Sequence, residues 1–132
     1  MQTMKQKREP RELVAFITAK TGDDLVISFA VCQPDDPTDI ESLTILRTPK
    51  YEAFLDEWER GASVSFDRDL EGDETVLLRE VVYAFDDKRI TLRTDHHTYK
   101  LDVRKVYPGE LSAMGRVFRK MNFDSSIQLS GV

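Results

Sequence analysis

The sequence predicts a single α+β domain over residues 11–132, with a mostly antiparallel sheet of six or seven strands, open or partly barrel-like, and two packed helices. Residues 75–106 alternate β-branched and aromatic side chains with polar ones around two short polar loops, a pattern typical of a three-stranded meander. Residues 49–60 and 109–121 carry apolar side chains at helical spacing. A chain of 132 residues, 40% of them hydrophobic, is long enough to bury one core.

The chain begins with a polar, basic stretch. Residues 1–10 are predicted to form a flexible N-terminal arm, because they offer little apolar surface to bury. Residues 12–20 and 25–33 then alternate in the manner of two paired strands. In that hairpin Val14 and Phe16 are expected on the same, core-facing side.

A helix is predicted between two short strands at residues 42–47 and 62–66. Thr48 can cap its first turn, and Pro49 suits the first helical position, where no N–H donor is needed. Gly61 supplies the stop. Four apolar side chains share one stripe and are expected to pack on the sheet: Tyr51, Phe54, Leu55 and Trp58.

The register of the closing hairpin decides which side chains share a face. If Thr94 pairs with Tyr99, Leu92 meets Leu101 on the core side. The opposite side then carries two pairs of like charges: Arg89 opposite Arg104, and Arg93 opposite Lys100. We call these four cations the basic face, and they are the predicted partner-binding or anion-binding residues.

The preceding hairpin turns at Asp86 and Asp87. This turn pairs Tyr83 with Ile90 and places Glu80 opposite Arg93, so a carboxylate is expected to relieve part of the repulsion on the basic face.

A second helix is predicted over residues 109–121, with Glu110 in the first turn, where a carboxylate complements the helix dipole. Its core-facing stripe is Leu111, Met114, Val117, Phe118 and Met121. Residues 126–132 then alternate like a short edge strand, through which two copies of the chain could pair as a homodimer.

The net charge of −5 is unevenly divided. Residues 1–74 hold nine Lys or Arg against seventeen Asp or Glu, a balance of −8, and residues 75–132 hold ten against seven, a balance of +3. Opposed charges favour self-association or a charged partner. No apolar run approaches a membrane span and the start is unlike a secretory signal, so no membrane contact and a cytoplasmic location are expected, with the lone Cys32 reduced.

Four carboxylates form the predicted metal site: Asp67, Asp69, Glu71 and Asp73. Their alternate spacing before Gly72 is similar to the first half of a calcium loop. The twelfth position, where that loop needs a bidentate glutamate, is Leu78. Weak calcium binding is therefore a hypothesis, and a solvated hairpin loop is the alternative.

His96 and His97 are the only histidines, and neighbouring side chains on a strand point to opposite faces. They could share a metal only if the loop bends. Together with Asp95 and Asp102 they are the candidates for an enzyme, yet they form no nucleophile and base pattern, so catalysis is disfavoured. No cofactor is predicted.

Three function classes follow. The favoured one is a small cytoplasmic binding or regulatory module that acts through a protein partner or through self-association. The second is RNA binding by the basic face, against which stand the acidic net charge and the lack of aromatic stacking side chains on that face. The third is a small enzyme or a weak metal-binding protein.

Overall fold

The computed structural model describes residues 11–33, 35–36, 38–67 and 76–132. The predicted arm at residues 1–10 lies outside these ranges. The described residues form eight strands and one α-helix. They are β1 (Glu12–Lys20), β2 (Leu25–Cys32), β3 (Ile40–Arg47), β4 (Ser63–Phe66), β5 (Leu78–Ala84), β6 (Arg89–Thr94), β7 (Thr98–Asp102), α1 (Pro108–Met121) and β8 (Gln128–Ser130).

All eight strands belong to one sheet in the order β4-β3-β2-β1-β7-β6-β5-β8. Neighbours are antiparallel except for the parallel pairs β1–β7 and β5–β8, so the sheet is mostly antiparallel as predicted. The sheet curls until Ser63 forms an isolated bridge with Leu77. That bridge does not extend into a ladder, and the sheet is not closed.

The core lies on one side of this curled sheet. Helix α1 packs on β1 and β2 through the side chains of Met114, Val117, Phe118 and Met121, all buried, which confirms the predicted C-terminal helix. Near its start the carboxylate of Glu110 accepts a hydrogen bond of 2.8 Å from the N–H of Ile17. This contact satisfies a β1 donor beyond Leu13, where the pairing of β1 with β7 ends.

The predicted helix over residues 49–60 does not form, and this prediction is wrong. The chain makes two 3-10 turns, Pro49–Phe54 and Glu57–Glu59, separated by an extended Leu55. A helix of this length needs tertiary packing to persist in water. Here the core is already covered by α1, and the hydroxyl of Thr48 donates to Asp24 at 2.7 Å instead of capping a helix.

The face prediction for β1 is half right. Val14 is fully buried, but Phe16 is 46% exposed. A bulge between these residues shifts the β1–β2 register, so the side chain that follows Val14 into the core is Ile17.

The β6–β7 hairpin is displaced by two residues from the predicted register. Leu92 pairs with Tyr99, and Ile90 with Leu101. The hydroxyl of Thr94 accepts the N–H groups of the two following histidines and tightens the turn. Because the displacement is even, the predicted faces survive although the partners change.

The like-charge pairs predicted across this hairpin are therefore wrong. Arg89 pairs with Asp102, and Arg93 with Thr98. The β5–β6 hairpin does have the predicted register, including Glu80 opposite Arg93.

Candidate functional site

The basic face is a mixture of charges. The Nε of Arg93 lies 3.0 Å from Oε1 of Glu80, on the same face as Lys100, which is half-buried opposite Thr91. Arg93 and Lys100, both predicted to belong to this surface, thus lie on one face of the neighbouring strands β6 and β7. That this face binds a partner or an anion stays a prediction.

The other two cations of the basic face lie at its far end. Nη1 of Arg89 lies 3.4 Å from Asp87, whose carboxylate also pairs with Arg11 at 3.1 Å. Nε of Arg104 lies 3.3 Å from Asp102. Neighbouring carboxylates therefore offset much of the positive charge that the sequence suggests.

The predicted calcium loop is described only at its first residue. Asp67 is exposed, and its carboxylate accepts the N–H of Ser42 at 2.8 Å. Asp69, Glu71 and Asp73 lie outside the described residues. Within the described ranges, no group of three or more His, Cys, Asp or Glu side chains is placed to hold a metal ion.

The histidine pair lies at the tip of the β6–β7 hairpin. Both rings are exposed, and their centroids are 6.4 Å apart. Asp95 forms an ion pair of 2.6 Å with Arg79, and this contact lowers the pKa of the Asp95 carboxyl. The arrangement fixes the hairpin end.

A buried arginine, Arg47, organises a different surface, and the sequence analysis assigned it no role. Arg47 ends β3 and is 1% exposed. Its guanidinium makes a forked pair with Glu52, at 2.7 and 2.9 Å, and a second with Asp124, at 3.0 and 2.8 Å. It also donates to the carbonyl of Met121 at 2.7 Å. We call this group the arginine clamp; it ties β3 to the turn at residue 52 and to the end of α1.

The charges of the clamp stabilise one another. Burial acts to lower the pKa of Arg47, but the hydrogen bonds that it donates to Glu52 and Asp124 outweigh burial and raise that pKa further above its usual value. The same guanidinium holds the pKa of Asp124 well below its ordinary range. Both shifts favour the charged forms of Arg47 and Asp124, so the pair between them is a fixed anchor.

The clamp holds residues 49–59, here called the aromatic segment, whose apolar side chains face solvent. Phe54 is 83% exposed and Trp58 is 73% exposed, with Tyr51 and Leu55 also exposed. Each belongs to the stripe that was predicted to pack on the sheet. The aromatic segment is therefore part of the surface and not of the core.

Further contacts hold this segment in place. Lys50 pairs with Asp23 at 2.8 Å, and the guanidinium of Arg60 donates to the carbonyl of Leu55 at 3.1 and 3.3 Å. Phe123, itself largely exposed, lies with its ring 4.1 Å from the guanidinium carbon of Arg47. The aromatic side chains are therefore presented from an anchored backbone.

Comparison with known proteins gives no relative: no family model, curated protein or solved structure matches this chain. No helix in the described ranges is long and apolar enough to cross a membrane. Function is therefore argued from the surface itself.

Proposed function

We propose that this chain is a protein-binding module that takes a basic, amphipathic segment of a partner on its aromatic segment. The observation that carries the proposal is the exposure of Phe54 and Trp58 on a backbone anchored by the arginine clamp. Trp and Tyr side chains dominate binding energy at protein interfaces. Neighbouring exposed apolar side chains that do not collapse onto the core are typical of such sites.

The charge around these rings selects the partner. Asp56 and Glu57 are exposed between Phe54 and Trp58, and Glu59 follows them. A partner with Lys or Arg beside its apolar side chains would meet complementary charge. The anchored backbone also lowers the ordering cost of binding.

Trp58 is the only tryptophan, so its fluorescence reports on this surface alone. A model peptide of leucine and lysine at amphipathic helical spacing should shift its emission to the blue and saturate. The same peptide with glutamate in place of lysine should bind much more weakly, because it meets the acidic side chains. Binding should weaken, but persist, as salt is raised and the charges are screened.

The variant Phe54→Ala should weaken this binding about tenfold or more, as for a central interface aromatic. Phe85→Ala removes another largely exposed phenylalanine, from the β5–β6 turn, and is the matched control. Equal affinity of the lysine and glutamate peptides, or equal loss in the two variants, would reject the proposal. Light scattering at rising protein concentration separates this function from self-association.

RNA binding by the basic face is the second candidate, supported by the placement of Arg89, Arg93 and Lys100 on one face of β6–β7. Affinity for single-stranded RNA should then fall steeply with salt and with Arg93→Glu. Affinity that is indifferent to salt would reject it. A cytoplasmic setting for either function is supported by the lone, unpaired Cys32.

A further inference from the structure

A cleft of about 300 Å³ lies between α1, β5 and the chain after β8. It is lined by Tyr83, Leu111, Ser112, Gly115, Arg116, Arg119, Gly131 and Val132. Its size is at the lower end for small-molecule sites.

One wall of the cleft is a stripe of α1. Ser112, Gly115, Arg116 and Arg119 follow at i, i+3, i+4 and i+7, so they share one helix face. Neither Arg116 nor Arg119 forms an ion pair with any residue in the described ranges. This differs from the basic face, where Arg89, Arg93 and Arg104 each lie beside a carboxylate. The cleft thus holds two guanidinium groups whose charge has no protein counterpart among the described residues.

Gly115 gives one guanidinium its position. A Cβ built at Gly115 would meet a single side-chain atom, Nη1 of Arg119, at 3.3 Å. Glycine inside a helix costs stability, and no positive φ requires one here. The space left by the missing side chain accommodates the guanidinium of Arg119.

The opposite wall is partly apolar. Tyr83 is half-buried, and burial raises the pKa of its hydroxyl. Val132 adds aliphatic surface to this wall, and Leu111 adds more from α1 itself. The cleft thus combines two cations and the hydroxyl of Ser112 with an aromatic ring and aliphatic groups. This combination matches an anionic group attached to a small apolar body.

We propose that this cleft binds a small organic phosphate, with Arg116 and Arg119 on the phosphate and Tyr83 and Leu111 against its organic part. A phosphate monoester carries a charge near −2 at neutral pH, which matches two guanidiniums, and arginine binds phosphate oxygens in forked geometry. The site does not overlap the aromatic segment, so it stands or falls independently of the proposed protein-binding function.

Phenyl phosphate is the test ligand, followed by amide chemical shifts in solution at physiological salt. Saturable shifts are expected at residues 111–119 and 131–132. Phenyl phosphate should bind more tightly than inorganic phosphate, and phenol should not bind measurably. Arg116→Gln and Arg119→Gln should each weaken binding about tenfold, while Lys105→Gln, which removes an exposed cation outside the cleft and outside the basic face, leaves it unchanged.

Gly115→Ala separates binding from folding. The added methyl group should raise the melting temperature by a few degrees because it favours the helix, yet weaken binding several-fold by displacing Arg119. Absence of saturable shifts, equal affinity for phenyl phosphate and inorganic phosphate, or undiminished binding in both arginine variants would overturn the proposal.

Discussion

Replacing Arg47 by methionine tests the arginine clamp most directly. Methionine keeps the unbranched apolar stem and removes the guanidinium. The change deletes contacts of 2.7 and 2.9 Å to Glu52, of 3.0 and 2.8 Å to Asp124, and of 2.7 Å to the carbonyl of Met121. What remains is a buried carbonyl without its donor and two carboxylates left facing each other.

The cost can be worked out from exposure. Removing one partner of a buried ion pair typically costs about 3–5 kcal/mol. The side chain of Glu52 is only 12% exposed, so it regains little water, whereas that of Asp124 is 41% exposed and recovers much of its hydration. We therefore expect Arg47→Met to lower the free energy of unfolding by about 3 kcal/mol, near the low end of that range.

Urea unfolding followed by circular dichroism measures this difference. Arg104→Met is the control, because its pair with Asp102 is 3.3 Å long and the arginine is 66% exposed, which predicts a loss of about 0.5 kcal/mol or less. Arg47→Lys should lie between the two, since an ammonium group cannot reproduce both forks. A loss from Arg47→Met no larger than that from Arg104→Met would refute the view that the clamp anchors the aromatic segment.

Three further predictions concern stability. The pKa of Asp124 is depressed in the fold, so its stabilising contribution is present above its unfolded pKa of about 3.9 and is lost as pH falls through the acid range. Asp124→Asn should therefore flatten the dependence of the unfolding free energy on pH in the acid range, and an unchanged dependence would contradict this prediction. Gly131→Ala should destabilise the protein by more than about 1 kcal/mol in urea titrations, because φ is +79° and a Cβ would come within 2.2 Å of the carbonyl oxygen of Tyr83; neutrality would show that the tail simply moves aside. Glu110→Gln should cost about 1 kcal/mol by weakening the charged bond to the β1 backbone, with faster amide exchange at that N–H as the check and unchanged exchange as the refuting result.

Much of the fold follows from local patterns. Alternation placed the strands, and β1 has the predicted bounds of residues 12–20. The stripe of α1 was sufficient because four of its five predicted side chains are buried and the fifth, Leu111, is half-buried. The register of β6–β7 was missed by two residues because it depends on the hydroxyl of Thr94, which closes the turn from within the strand.

The aromatic segment and the clamp could not be predicted in the same way. A stripe of apolar residues has the same sequence pattern whether or not the sheet offers a surface for it to pack on. Here α1 already packs on β1 and β2. The clamp depends on Asp124, which is 77 residues from Arg47 along the chain. The forked pair with Glu52, five residues after Arg47, is the one local signal of it. The bulge that exposes Phe16 likewise has no residue signature of its own.

The sheet order divides the described strands into two ribbons, which are joined by a short seam between β1 and β7 and by the bridge between Ser63 and Leu77. Strands β1 to β4 form one antiparallel ribbon, in which the aromatic segment lies between β3 and β4, and β5 to β7 form another. Between β1 and β7 the seam consists of two residue pairs, Glu12 with Leu101 and Leu13 with Asp102. Each ribbon can form from its own turns before the pairs between β1 and β7 form, because residues close in sequence pair faster than distant ones. Amides along the seam should accordingly be the first sheet positions to exchange with solvent.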